Sequence, residues 1–232
     1  MRLTVRHCFD FGGDRAVVGD DLVRPEAWDA LRTSTDGPFS IAGDRSELER
    51  TAESRPEIEE RARQIDAVLE ARATRALASY GVGGAVLEVC LERLRPQRRL
   101  TLTDYGPETV ERLRQLFPEA NVEQHDLRED PPLAADIHLF HRIDTEFTNR
   151  EWRDLLRRFQ RESILVVATE IADLERVARE LVGRFRNRHL TQAGWLRTRD
   201  AFDALWRPTH AATPLRLHDL DGWLLEPRVR PT

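Results

Sequence analysis

Lysine is absent from this 232-residue chain, whose 36 basic side chains are all arginine. That absence excludes a Schiff-base mechanism and a Walker-type phosphate loop, because both need a lysine amine. Cysteine is scarce too. Cys8 and Cys90 are too few for a disulfide framework and lack the spacing of metal ligands, so no metal site and a reduced, cytoplasmic setting are expected. No apolar run approaches the length of a membrane span, and residues 1–14 lack the basic start and apolar stretch of a signal peptide. A net charge of -5, with acids and arginines interleaved, gives no electrostatic case for a nucleic-acid or membrane-surface partner.

Three zones can be separated in what is present. Residues 3–5 and 16–18 flank Phe11-Gly12-Gly13-Asp14, a pattern that predicts a hairpin turned at the two glycines. Residues 25–32 read as a short helix and 33–44 as a loop. The zone 1–46 is too small to hold a core of its own, so it is expected as an extension of a main domain over 47–232. From 47 to 75 the sequence reads as one helical zone. Ile58, Ala62, Ile65, Val68 and Leu69 fall on one face and Glu59, Glu60, Arg61, Arg63 and Asp66 on the other. That zone is open between docking on the sheet and covering a site as a lid.

From residue 76 onward, short apolar runs alternate with amphipathic segments. Strands are predicted at 76–79, 100–103, 122–124, 137–140 and 164–168, and helices at 86–94, 108–117, 151–160 and 174–186. A helix at 199–206 then leads into apolar runs at 215–218 and 223–225, whose link is too short for anything but antiparallel neighbours. The fold class is therefore α/β, a doubly wound, seven-stranded, mostly parallel sheet with an antiparallel terminal hairpin.

In such a sheet, ligands sit beyond the carboxyl ends of the strands. The first strand is followed by Gly81-Val82-Gly83-Gly84, the second by Asp104 and the third by Asp126. The fourth is followed by His141, Arg142, Asp144 and Glu146, and the fifth by Glu170. A glycine loop opening a helix accepts a polar or anionic group, a carboxylate takes ribose hydroxyls, and a second carboxylate takes an exocyclic amine. Together the three match three parts of one adenosine-bearing ligand.

This set, with the closing antiparallel pair, resembles the class I S-adenosylmethionine-dependent methyltransferases over roughly residues 69–228. Where that family reads acid-x-Gly-x-Gly-x-Gly, this chain has Ser79-x-Gly81-x-Gly83-x-Ala85. The family's second-strand acid matches Asp104, followed by Tyr105, and its adenine-side aspartate matches Asp126, followed by Leu127. The resemblance implies a Rossmann-like methyltransferase fold and S-adenosylmethionine as cofactor, with S-adenosylhomocysteine as product. Gly81, Gly83 and Gly84 would admit its methionine part, Asp104 its ribose and Asp126 its adenine, with Ser79, Tyr105 and Leu127 also among the implied cofactor-binding residues. The implied reaction is methyl transfer to an oxygen or nitrogen of a small molecule. Two positions depart from the pattern. Ser79 brings no charge to meet the ligand's amino group, and Ala85 replaces a glycine whose role is close helix–strand packing.

His141 has a reference pKa of about 6.5 and is the candidate catalytic residue, as a general base or substrate-orienting group. A strand-end cap is the other reading. His138 reads as a packed strand residue, while Asp144 and Glu146 are open between positioning substrate and capping a helix near Asn149. Asp130-Pro131-Pro132-Leu133 precedes the fourth strand and reads as a proline turn. Trp28, Trp195, Trp206 and Trp223 are open between packing, a pocket and a subunit contact, which leaves a homodimer open. The serine at 79 carries a second expectation, a methyltransferase-fold protein that does not methylate: a scaffold or binding partner, or an enzyme such as a cyclase. A nicotinamide-dependent oxidoreductase fits the glycine spacing and terminal hairpin less well.

Overall fold

Apolar runs too short for helices build the centre of this protein, and the segments between them cover it. The computed structural model describes residues 1–9, 25–33, 39–186 and 191–228. The chain begins with β1 (Thr4–Phe9), α1 (Pro25–Thr33), α2 (Arg45–Glu53) and α3 (Pro56–Ala71). The alternating region runs β2 (Ala76–Tyr80), α4 (Val86–Leu94), β3 (Arg99–Asp104), α5 (Pro107–Leu116), β4 (Asn121–Gln124), β5 (Ile137–His141), α6 (Asn149–Arg158) and β6 (Ile164–Val167). It closes with α7 (Leu174–Arg186), β7 (Thr191–Arg197), α8 (Arg199–Trp206), β8 (His210–Leu217) and β9 (Leu220–Pro227).

Seven strands form one sheet in the order β4-β3-β2-β5-β6-β9-β8. The pairs among β2 to β6 are parallel, whereas β9 runs antiparallel to both β6 and β8. The predicted fold class is the one observed. Every residue of β2 and of β6 is buried, as a sheet covered on both faces requires. One face carries Leu48, Ala62, Ile65, Leu69, Leu102 and Leu139, and the other Phe140, Trp152, Phe159, Trp206 and Trp223. Because chain order reverses between β2 and β5, the carboxyl ends of these two strands form the switch point where a crevice opens.

Four local expectations are corrected. The zone 47–75 is two helices, because Pro56 has no N–H to continue the first and instead starts the second at its opening turn. Arg61 and Asp66 do not face solvent. Arg61 donates to Asp219 at 2.7 Å, and Asp66 pairs with Arg98 at 2.8 Å and Arg95 at 3.2 Å. β8 and β9 are longer than their apolar runs, because β8 is an exposed edge that tolerates Pro214. β7 was not anticipated, and it pairs antiparallel with β1 in a second, two-stranded sheet. The expected hairpin turn at Gly12-Gly13 and its second strand at 16–18 lie outside the described residues.

Arg197 joins the small sheet to the large one. Its side chain is fully buried, and it donates to the carbonyl oxygen of Asp144 at 2.7 Å, to Oδ1 of Asn149 at 2.8 Å and to the carbonyl of Phe147. Burial lowers its pKa to about 10, which leaves it charged at neutral pH, with Asp144 and Glu151 as favourable neighbours. The turn after β5 is thereby held rigid. Arg197→Met strips hydrogen bonds from several buried acceptors, so urea denaturation is expected to show a loss of about 3 kcal/mol or more.

Candidate functional site

The loop between β2 and α4 takes its shape from three residues in the left-handed region: Gly81 (φ 62°), Gly83 (φ 56°) and Ala85 (φ 59°). A Cβ on Gly81 would lie 2.7 Å from Cγ2 of Ile143, whereas one on Gly84 would meet nothing nearer than the Ser40 carbonyl at 4.0 Å. Ala85 therefore departs from glycine at a cost other than packing. Its backbone adopts a conformation that disfavours a side chain by about 1–2 kcal/mol.

Asp104 fixes this loop from the neighbouring strand. It is 6% exposed, its Oδ2 accepts the Gly83 N–H at 3.2 Å and its Oδ1 the Gly106 N–H at 3.1 Å. Burial raises its pKa, while the Arg32 charge and the two N–H donors pull it down. An ionised carboxylate has about four acceptor positions, so two stay available to ligand hydroxyls. Asp104 does not cap the body of α5. Asp29 of α1 does, accepting from the N–H groups of Glu108 at 3.3 Å and Thr109 at 3.0 Å and from the Thr109 hydroxyl at 2.8 Å. That contact docks α1 over the carboxyl end of β3 and brings Trp28 and Arg32 to the site. The Arg32 guanidinium occupies the space a Gly83 Cβ would need, lies 5.3 Å from the Trp28 ring and donates to the Phe39 carbonyl at 2.9 Å.

Beyond β3 and β4 lies a small cavity of about 30 Å³, lined by Asp104, Tyr105, Asp126 and Leu127 together with Trp28 and Arg32. Oδ1 of Asp126 accepts the Arg128 N–H at 2.9 Å. The Arg128 guanidinium lies 4.9 Å from the Phe147 ring and 5.8 Å from that of Tyr105. The buried Tyr105 hydroxyl has no hydrogen-bond partner among the described residues.

A second cavity of about 670 Å³ opens between the glycine loop, α2, α3 and the end of β5. His141, Arg142, Glu88 and Glu146 line it. Trp28, Arg32, Gly81, Ile143 and Glu146 line both cavities and so form the partition between them. Burial, followed by the charges of Arg61 and Arg142, lowers the pKa of His141 to about 3, and its Nε2 lies 3.5 Å from Nη1 of Arg61. It is neutral and faces a cation. Burial, reinforced by the nearby Asp104 charge, raises Glu146 to about 7. It is partly exposed and lines both cavities.

Neither acid after β5 caps α6. Asp144 is buried and accepts from the Thr169 N–H and hydroxyl, both at 2.7 Å, whereas the cap is Thr148, in a reciprocal box with Glu151. Arg142 stands at φ 60°. His138 is fully buried against Tyr80, as a packed strand residue. Trp206 and Trp223 pack together in the core, and Trp195 lies under Arg6.

The structure places Gly81, Gly84, Asp104, Tyr105, Asp126, Leu127 and His141 on the walls of these two cavities, whereas Ser79, which is fully buried, and Gly83, which is covered by Arg32, line neither. Sequence reasoning missed Asp29, Arg32, Arg61 and Glu88. For Glu88 a signal existed: it is the one acid among Leu87, Val89, Cys90 and Leu91. No cluster of three metal-ligating side chains occurs among the described residues.

Two substitutions test the loop geometry. Gly81→Ala is expected to lower stability by about 2–4 kcal/mol, from the positive φ together with the Ile143 clash. Ala85→Gly, which removes the Cβ at a positive φ, should raise it by about 0.5–1 kcal/mol. Both are read by thermal or urea unfolding.

No protein-family model matches the chain, and no curated protein matches it in sequence. Solved structures match it in fold. Human N-acetylserotonin methyltransferase in complex with SAM aligns with a TM-score of 0.59 at 18% identity, over 86% of this chain and 58% of that one. PigF with SAH aligns with a TM-score of 0.64 at 16% identity, over 92% and 64%. An O-methyltransferase family protein from Burkholderia thailandensis aligns with a TM-score of 0.60 at 15% identity, over 95% and 64%. The chain spans 58% to 64% of the length of these three structures. With its strand order, switch-point crevice and glycine loop, it has the fold of the class I S-adenosylmethionine-dependent methyltransferases.

Proposed function

We propose that the protein transfers a methyl group from S-adenosylmethionine to an oxygen or nitrogen of a small molecule. The observation that carries this reading is the lock between loop and acid. Gly81 and Gly83 hold a left-handed loop whose Gly83 N–H is bonded to Asp104, and Asp104 keeps acceptor positions for a ribose. The unpartnered Tyr105 hydroxyl and the partly exposed Asp126 continue the same crevice toward a base. When bound, the cofactor supplies a methyl group on a positively charged sulfur.

The chain's own residues then have separable roles. Ser79, Gly81, Gly83 and Gly84 admit the amino-acid end, Asp104 and Tyr105 the ribose, and Asp126 and Leu127 the adenine. Glu146, on the wall shared by the two cavities, takes the acceptor's proton, because a carboxylate raised to about 7 is matched to that task near neutral pH. His141 is too weak a base beside Arg61 and serves to orient the acceptor through hydrogen bonding. Alignment of donor and acceptor does the remaining work. Five arginines and three glutamates line the larger cavity, an excess of positive charge that favours an acceptor with an anionic group.

One observation favours a methyltransferase-fold protein that does not methylate, whether a scaffold or an enzyme such as a cyclase. The nucleoside-side cavity of about 30 Å³, narrowed by Trp28 and Arg32, holds little more than a water, so the methylating reading requires α1 to shift when ligand enters.

Calorimetric titration separates the two readings. S-adenosylmethionine and S-adenosylhomocysteine should both bind saturably, and Asp104→Ala should weaken both by about tenfold to a hundredfold. Absence of heat and of any thermal shift selects the non-methylating protein. Once an acceptor is found, the rate should rise between about pH 6 and 8 as Glu146 loses its proton, and Glu146→Gln should be slow and lack that rise.

A further inference from the structure

Glu88 is the third residue of α4, directly after the glycine loop, and it is 2% exposed. Its Oε1 accepts the Ser79 hydroxyl at 2.7 Å, and the residue lines the larger cavity together with Gly81, Val82, Gly84 and Ala85. No cation stands within ion-pair distance of it among the described residues. Burying a carboxylate with only the Ser79 hydroxyl and its own backbone N–H as donors, and no counter-charge, is costly. A glutamine would satisfy Ser79 as well, and a matched apolar pair would be as stable or more so. The free protein accommodates the group by raising its pKa to about 7, with burial as the first cause. A group so placed is completed by a cation arriving from the cavity.

We propose that Glu88 receives the ammonium group of the cofactor's amino-acid end, so that α4 supplies the carboxylate that Ser79 lacks on β2. The inference rests on the cofactor reading above and adds a residue and a charge to it. Ser79 becomes a positioning residue whose hydroxyl holds Oε1 in place. The serine at the strand end is then no loss of a charged partner, because the charge has moved nine residues along the chain to the other side of the same hydrogen bond. Helix α4 adds to the fit, since a negative charge in its first turn is favoured by the helix dipole.

Two ligands that differ in the amino-acid end test this. S-adenosylhomocysteine carries the ammonium, whereas 5′-methylthioadenosine has the same nucleoside and sulfur without it. Calorimetry on the full chain is expected to show that Glu88→Gln weakens S-adenosylhomocysteine about thirtyfold or more while leaving 5′-methylthioadenosine within about twofold. Asp104→Ala should weaken both ligands alike. Ser79→Asp added to the Glu88→Gln variant should restore the preference for the ammonium-bearing ligand, which also guards against a folding defect in the single variant. Unchanged affinity for S-adenosylhomocysteine, or equal loss for both ligands, would overturn the role of Glu88 while the cofactor reading stood. Failure of the wild-type protein to bind either ligand would overturn both.

Discussion

The carboxylate of Asp104 is the constraint on which the site depends. Its two oxygens accept N–H groups from two different turns, Gly83 in the loop after β2 and Gly106 in the turn after β3, so one buried charge fixes both to the same strand end. A carboxyl group at 6% exposure is tolerable only while its hydrogen bonds are made, and the bond from Gly83 exists only when the parallel register of β2 and β3 is correct. The shape of the crevice and the integrity of the sheet are thus the same condition. The left-handed residues of the loop follow from it, because the chain must turn sharply to deliver the Gly83 N–H to Asp104 while clearing Ile143.

Other buried charges extend this frame outward. Arg197 clamps the carbonyls of the turn after β5, and Thr169 holds Asp144 from β6's side, so that the segment carrying Glu146 is fixed from two directions. Asp29 reaches across to the first turn of α5 and carries Trp28 and Arg32 over the crevice. Among the described residues, Glu88 and Glu146 are the two acids whose pKa burial raises to about 7, and both line the larger cavity.

Much of the sheet was legible because its signals are local. Short apolar runs alternating with amphipathic segments marked β2 to β6, and the glycine loop and the acids at 104 and 126 followed in chain order at strand ends. What failed was non-local. β7 contains Gly194 and no continuous apolar run, and its partner β1 lies almost two hundred residues away. Arg61 and Asp66 read as solvent-facing on a helical wheel, yet tertiary partners, Asp219 for one and Arg95 and Arg98 for the other, pull them inside. Helical periodicity cannot register such a partner.

By itself the sequence determined the fold class, the order of the elements and the position of the loop and acids along the strand ends, because hydrophobic period and turn chemistry are carried by neighbouring residues. It left His141 and Glu146 undivided and made Ser79 look like a missing charge. Only the tertiary structure decided the surroundings of these three groups. It set Arg61 against His141, put Glu146 on a wall shared by two cavities and laid Glu88 beside Ser79, and the electrostatics of each group depend on burial and on partners distant in the chain or brought close by the fold.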